Sequence, residues 1–412
     1  MRESIGDKVR APLAAGVSLY IHLPFCRKKC DYCDFFSKER AKSGDKEEVI
    51  EKIIADTREM LSLLDPPSIE TVYIGGGTPN SLSRKHFSRL LRGLGECVYS
   101  RSSKIKEWTV EINPEFLDTR QLEELNKAGV DRLSIGVQSF RDDSLRLIGR
   151  NAGIDETVGA LELLSAQWKD RWTMDLISLI PGSESDPLSD LKKAMTYKAR
   201  HISLYGLTIE AGTPLQKRLA AGKIKRSGEE EAGDILKAQW DFLRDQGFTH
   251  YEVSNFAAGR QDEGIHNLRY WHLEPYLGIG PSAVSTIPGR EGPLRIQELE
   301  KRGEYRIEYI TPYSFLLEHL MTSLRTREGL SYVHISKRFG TGFANGLKRA
   351  LKMKLRRYEK IGFVEKNGRG FSFTDEGMMI LDSLLLDLAG DLDGLAIERV
   401  NWPQQRREFA QS

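Results

Sequence analysis

Leu19-Tyr20-Ile21-His22-Leu23-Pro24-Phe25-Cys26-Arg27-Lys28-Lys29-Cys30-Asp31-Tyr32-Cys33-Asp34-Phe35 carries three cysteines at the spacing C-x3-C-x2-C. The run before them, Val17 to His22, reads as a short buried strand that Pro24 stops. The cysteines therefore belong to a loop leaving a strand end, and such a loop can curl three thiolates around one object. Ordinary iron–sulfur and structural zinc sites take four protein ligands. A [4Fe–4S] cluster held by three keeps an open position on one iron, where a substrate can bind. A zinc site would need His22 as its fourth ligand. A disulfide framework does not suit 412 residues with four cysteines in all.

The flanking residues add to this. The pattern Tyr-x-His-x-Pro-Phe-Cys-x3-Cys-x-Tyr-Cys, from Tyr20 to Cys33, resembles the cluster loop of radical S-adenosylmethionine (SAM) enzymes. More narrowly it resembles the HemN/HemW branch, which holds oxygen-independent coproporphyrinogen III oxidases and haem chaperones. The resemblance implies that Cys26, Cys30 and Cys33 bind a [4Fe–4S] cluster and that SAM chelates its open iron.

Short apolar runs alternate with amphipathic stretches from Val17 to about Phe256. Strands are expected at Ser18–His22, Thr71–Ile74, Trp108–Ile112, Arg132–Gly136, Thr173–Ile177 and Ile202–Leu207. Helices are expected between them, such as Glu47–Leu64, Ser83–Leu94, Thr119–Ala128, Ile154–Ser165 and Pro187–Tyr197. This alternation indicates a parallel α/β sheet built from right-handed crossovers. Six units are too few for a closed eight-stranded barrel but suit a partial (β/α)6 radical SAM barrel. Chemistry in such barrels sits at the C-terminal ends of the strands. The expected division is a radical SAM core over 1–248, a connecting region of loops over 249–308, a HemN-type domain over 309–390 and a frayed tail over 391–412. In the third part, helices over Phe315–Thr326, Tyr332–Phe339 and Phe343–Ile361 precede a hairpin over Gly362–Phe373 and a last helix to about Leu388. This is a small, mostly helical, winged-helix-like domain.

Gly75-Gly76-Gly77-Thr78-Pro79 follows the second strand. Consecutive glycines let backbone approach a ligand closely, although the same run can be a tight turn. Glu111 alternates with Val110 and Ile112, so it points into the barrel mouth, where a carboxylate needs a partner. Gln138 ends the fourth strand, Arg150 lies twelve residues later, and Asp175 lies in the fifth strand pattern. Taken singly, these residue types also serve as caps, turns and surface ion pairs. Together, one per βα unit, they match the family's SAM-binding positions. The resemblance gives Gly76, Gly77 and Thr78 to the methionine end of SAM. It gives Glu111 to the ammonium or ribose, Arg150 to the carboxylate and Asp175 to the ribose hydroxyls. Tyr20, Tyr32, Gln138 and Gly206 match further SAM contacts. His266-Asn267-Leu268-Arg269-Tyr270-Trp271 has the form H-N-x-x-Y-W, which resembles the haem-binding signature of HemW. His266 is expected in a loop outside the βα core, with Asn267, Tyr270 and Trp271 beside it to pack on a flat macrocycle.

The net charge of +2 gives no reason to expect nucleic acid. The basic stretch from Lys348 to Lys360 reads as the solvated face of a helix whose apolar residues are Leu347, Leu351, Leu355 and Tyr358. Cys97 reads as a buried apolar residue. No apolar run is long enough to span a membrane, and no signal-like segment precedes the first strand, so a cytoplasmic protein is expected. Peripheral membrane association stays open. Oxidases of this branch extend the motif to C-x3-C-x2-C-x-C, whereas Cys33 is followed here by Asp34 and Phe35. The resemblance therefore favours a chaperone that binds haem and hands it to apoproteins, respiratory haemoproteins among them. The alternative it leaves is the oxidase, which cleaves SAM and oxidatively decarboxylates coproporphyrinogen III. Two stretches depart from the family pattern: Arg150-Asn151-Ala152, where Arg-x-His is common, and Ser178-Leu179-Ile180-Pro181-Gly182, where Tyr-Gly-Leu-Pro-Gly is common.

Overall fold

A computed structural model describes residues 5–9, 12–299, 304–392 and 400. Six parallel strands form the core: β1 (Val17–Leu23), β2 (Ile69–Gly76), β3 (Glu107–Ile112), β4 (Arg132–Gln138), β5 (Arg171–Ser178) and β6 (His201–Gly206). They lie side by side in chain order. Helices over Ser43–Leu64, Arg84–Tyr99, Thr119–Ala128, Ile154–Gln167 and Ser189–Met195 connect them. Each strand splits its side chains by parity. Leu19, Ile21, Val72, Ile74, Trp108, Val110, Leu133, Ile135, Met174, Leu176, Ile202 and Leu204 are buried in one continuous core with the helices. Cys97 belongs to that core, as the sequence suggested, and its thiol points at the carbonyl of Ile54. The alternate residues are nearly all polar, and they meet one another across the lumen. Thr71 donates to Ser18 at 2.9 Å, Tyr73 to Glu111 at 2.8 Å and Ser134 to Asp175 at 2.7 Å. A closed eight-stranded barrel packs branched apolar side chains there; this open one holds a polar lumen.

The connecting region differs from its expected loops. It continues the sheet on both edges. Strands β7 (Thr249–Glu252) and β8 (Asn255–Ala257) pair antiparallel beyond β6. On the other side β9 (Tyr276–Ile279) runs parallel to β1, and β10 (Val284–Pro288), β11 (Pro293–Glu298) and β12 (Tyr305–Tyr309) extend it as an antiparallel meander. The sheet thus has twelve strands. Its glycines read as loop signals, but Gly278 sits within a strand because its missing side chain lets the backbone of Val284 come close.

A short helix, Ile265–Trp271, lies across the N-terminal end of the barrel and plugs it. Glu107, the first residue of β3, accepts the amides of Ile265 at 3.0 Å and His266 at 2.9 Å. Arg132, the first residue of β4, donates to the carbonyl of Asp262 at 2.9 Å and to Thr173 at 3.0 Å, and lies 3.6 Å from Glu107. Arg269 reaches Gly16 O at 2.9 Å and also donates to Ser18.

The C-terminal part holds helices over Pro312–Ser323 and Tyr332–Phe339, a hairpin of Val364–Asn367 with Gly370–Phe373, and a last helix over Leu381–Gly390. The helix expected over Phe343–Ile361 is two, Thr341–Ala350 and Lys352–Lys360. The turn at buried Leu351 lets Leu347 on one side and Leu355 and Tyr358 on the other all reach the core. Lys348, Arg349, Lys352, Arg356, Arg357 and Lys360 are exposed. Arg338 ties this part to the plug through the carbonyl of His272, at 2.7 Å. The expected tail lies outside the described residues except for 391, 392 and 400. Among the described residues no helix is long and apolar enough to cross a membrane.

Replacing Glu107 with Ala strips two amides of their acceptor and removes the carboxylate paired with buried Arg132. The expected loss of stability is about 3–5 kcal/mol, as for breaking a buried ion pair from one side. Urea unfolding of the parent and the variant measures it.

Candidate functional site

The cysteine loop leaves β1 at the upper, C-terminal mouth. Cys26, Cys30 and Cys33 are free thiols, each half-buried. Burial pushes the Cys26 and Cys33 thiols up. The loop is held on several sides. Asp31 donates its amide to Ile148 O and accepts from Leu215 N, both at 2.9 Å, and Arg218 holds its carboxylate at 2.9 Å. Tyr32 packs beside Ile148, Ile177, Ile180 and Leu207. Thr78 donates its hydroxyl to Cys26 Sγ at 3.7 Å, and Arg150 Nη1 lies 3.7 Å from Cys30 Sγ. Both rings of the Tyr20–His22 pair are engaged: Tyr20 OH meets His22 Nδ1 at 3.0 Å, and His22 Nε2 meets Phe36 O at 2.9 Å. Both nitrogens of His22 are thus engaged away from the thiols. Three thiols, two of them with side-chain donors behind them, have the donor chemistry of a cluster with one open corner.

The glycine turn packs against this loop. Gly77 N donates to Leu23 O at 2.8 Å, and Thr78 N to Phe25 O at 2.7 Å. A side chain at Gly77 would lie 2.5 Å from Phe25 O. Gly76 has φ +99°, and a side chain there would strike the His22 ring. The glycines are thus needed first for the fit of turn to loop. A bulky residue at Gly76 therefore disturbs the cysteine loop as well as any ligand.

Glu111 faces the lumen as its alternation predicts, and Asp175 faces it from β5. Burial pushes the Glu111 carboxyl up to about 7, opposed by the hydroxyl of Tyr73 and the amide of Gly76 at 3.1 Å. Burial likewise raises Asp175 to about 6, opposed by Ser134 and Ser203. Asp175 Oδ1 and Arg150 Nε are buried without a partner. Orphaned polar atoms of opposite kind at one mouth fit a polar ligand carrying both donors and acceptors. Gln138 sits at a break in the β4–β5 register, with φ +69°. That left-handed backbone is strained for Gln and turns its amide in beside Gly136 and Arg150. Arg150 also donates to Asn113 Oδ1 at 2.8 Å and to Gly136 O. Gly206 ends β6 at the rim.

His266 is not in a loop outside the core. It is in the plug helix, 1 % exposed, at the mouth opposite the cysteines. Its Nδ1 bonds Thr71 Oγ1 at 2.8 Å, its ring stacks on Tyr73 at 5.0 Å, and Tyr270 meets it edge-on at 5.0 Å. Burial lowers its pKa to about 3, so the imidazole is neutral, and Nε2 is buried without a partner. Asn267 and Trp271 are half-buried on the same helix, and Trp271 lies beside Glu252, itself raised to about 7 by burial. Phe35 is 67 % exposed at the upper mouth. Sequence reasoning missed Tyr73, Ser134, Ser203 and Asn113, which hold the site residues. The signal was present for three of them, since Tyr73, Ser134 and Ser203 alternate with apolar neighbours on their strands as Glu111 does, whereas Asn113 follows β3.

The raised Glu111 carboxyl has a pH signature. Between its ordinary value near 4.5 and about 7 the folded protein keeps a proton that the unfolded chain has released. Stability from this group is therefore present below that window and falls as pH rises through it. Gln copies the protonated form. Glu111→Gln is expected to match the parent near pH 5 and to melt a few degrees higher near pH 8. Thermal unfolding across pH checks this; a gap that does not grow with pH contradicts it.

A family model of the radical SAM superfamily matches residues 20–195, and one of the HemN C-terminal domain matches residues 310–380. The Heme chaperone HemW of Buchnera aphidicola is 31% identical, over 90% of this chain and 97% of its own. The mitochondrial Radical S-adenosyl methionine domain-containing protein 1 of Danio rerio is 31% identical, over 95% of this chain and 91% of its own. The solved coproporphyrinogen III oxidase HemN of Escherichia coli shares the fold, with a TM-score of 0.74 at 21% identity, over 94% of this chain and 92% of that one. Cysteine loop, six-stranded core and C-terminal domain agree with these matches, and the chain belongs to the radical SAM superfamily, in the branch that joins a HemN C-terminal domain to the core and includes the HemW proteins.

Proposed function

We propose that this chain is a haem chaperone. It carries a SAM-liganded [4Fe–4S] cluster at the upper mouth, binds haem, and delivers it to apoproteins such as respiratory haemoproteins. The observation that carries this reading is Asp34-Phe35 after Cys33, where the oxidase pattern has its further cysteine. The full-length similarity to relatives named Heme chaperone HemW supports it.

Cys26, Cys30 and Cys33 supply the thiolates, with Thr78 and Arg150 donating hydrogen bonds to the first two. Bound there, the cluster would supply an open iron able to take the amino and carboxylate groups of SAM. Gly76, Gly77 and Thr78 offer backbone to the methionine end. Glu111 would offer an acceptor to the amino N–H groups or the ribose, Asp175 one to the ribose hydroxyls, and Arg150 a cation to the carboxylate. Tyr20, Tyr32, Gln138 and Gly206 line the same mouth. At the other end the neutral Nε2 of His266 has the chemistry of an axial haem ligand. Burial of His266 means that the plug must swing aside before a haem reaches it, with Asn267, Tyr270 and Trp271 moving on the same helix.

Anaerobic reconstitution is expected to load about four iron and four sulfide per chain. Changing Cys26, Cys30 or Cys33 to Ala abolishes loading, and Cys97→Ala does not. Zinc in place of iron from iron-replete cells contradicts the cluster. The same preparation is mixed with haem and, separately, with coproporphyrinogen III and SAM. A Soret band with the first and no decarboxylation of the second is expected. Turnover of coproporphyrinogen III without haem uptake makes the protein an oxidase.

A further inference from the structure

Tyr73 touches both ends of the barrel. Its hydroxyl donates to Glu111 Oε1 at 2.8 Å, in the upper site. Its ring stacks on His266 in the plug, centroids 5.0 Å apart and planes at 30°. The other oxygen of Glu111 holds the Gly76 amide of the glycine turn. The other contacts of the His266 ring are Thr71 and Tyr270, and its amide is held by Glu107. A phenol is rigid, so its hydroxyl cannot follow Glu111 without its ring moving against the imidazole.

We propose that Tyr73 couples the two mouths, so that SAM at Glu111 loosens His266 from the barrel and favours haem at the plug. The inference rests on the SAM and haem reading above. Glu111 in the ligand-free lumen is held by two neutral donors. A cationic ligand beside it keeps the carboxylate ionised, and the Tyr73 hydrogen bond becomes charge-assisted and shorter. The phenol moves toward the upper mouth and its ring slides off the imidazole. The His266 ring then keeps Thr71 and Tyr270, its amide keeps Glu107, and the plug, with one contact fewer, opens more often. Haem that binds the open form favours ionised Glu111 in return, because binding linkage is reciprocal.

The test uses the cluster-loaded protein. Haem affinity is read from the Soret band with and without SAM, and SAM affinity by calorimetry with and without haem. SAM is expected to tighten haem by about fivefold or more, with the same factor in the other direction. Tyr73→Phe keeps the ring, removes the donor, and brings the factor to about one. A second readout needs no haem: amide exchange over 265–271 speeds up on adding SAM in the parent and not in Tyr73→Phe. Unlinked binding in the parent, or linkage that survives in Tyr73→Phe, overturns the inference and leaves the chaperone reading standing. A parent that takes up no haem overturns the chaperone reading. Unchanged exchange over 265–271 in that same protein overturns the coupling on its own.

Discussion

A strand with helices on one side has a single face to give them. In all six core strands that face is apolar, and the residues between are left to the lumen. Such polar groups need partners once they leave water. The lumen meets the demand in two ways. Strands bond across to one another, as Ser134 does to Asp175 and Tyr73 to Glu111. The plug meets much of the demand at the lower end through Glu107, Arg132 and Thr71, and leaves His266 Nε2 without a partner. At the upper mouth the accounts do not close from within the chain, and Asp175 Oδ1 and Arg150 Nε are left over.

The upper mouth is therefore held in a state that the fold alone would not choose. Two carboxyls are buried where ionisation is disfavoured, and one residue, Gln138, has a left-handed backbone. Groups and backbone under such constraint collect where a ligand is to be met. The stability they forgo is offset by the outer shell, where Trp108 and Phe87 are fully buried between sheet and helices.

The core was legible because its signals are local. Cysteine spacing, the alternation of strand and helix, and a lone carboxylate between Val110 and Ile112 are all short-range patterns. The sheet edges were not, because Gly278 marks close backbone approach in a strand with the same letter that marks a turn. The plug was not legible for another reason. H-N-x-x-Y-W was matched as a motif, but nothing within it states that His266 bonds a threonine 195 residues away. Burial of that kind is a property of the assembled lumen.

The plug also sets an order of events. Arg269 meets Ser18 across 251 residues of chain, and β9 pairs with β1 over a similar span. Loop closure of that length comes late and slowly, after the local βα units have formed. During synthesis the six-stranded core therefore exists for a time as an open trough. Its cysteine loop and polar lumen are then accessible from both ends, and the lower end shuts only after the helix that carries His266 has been made.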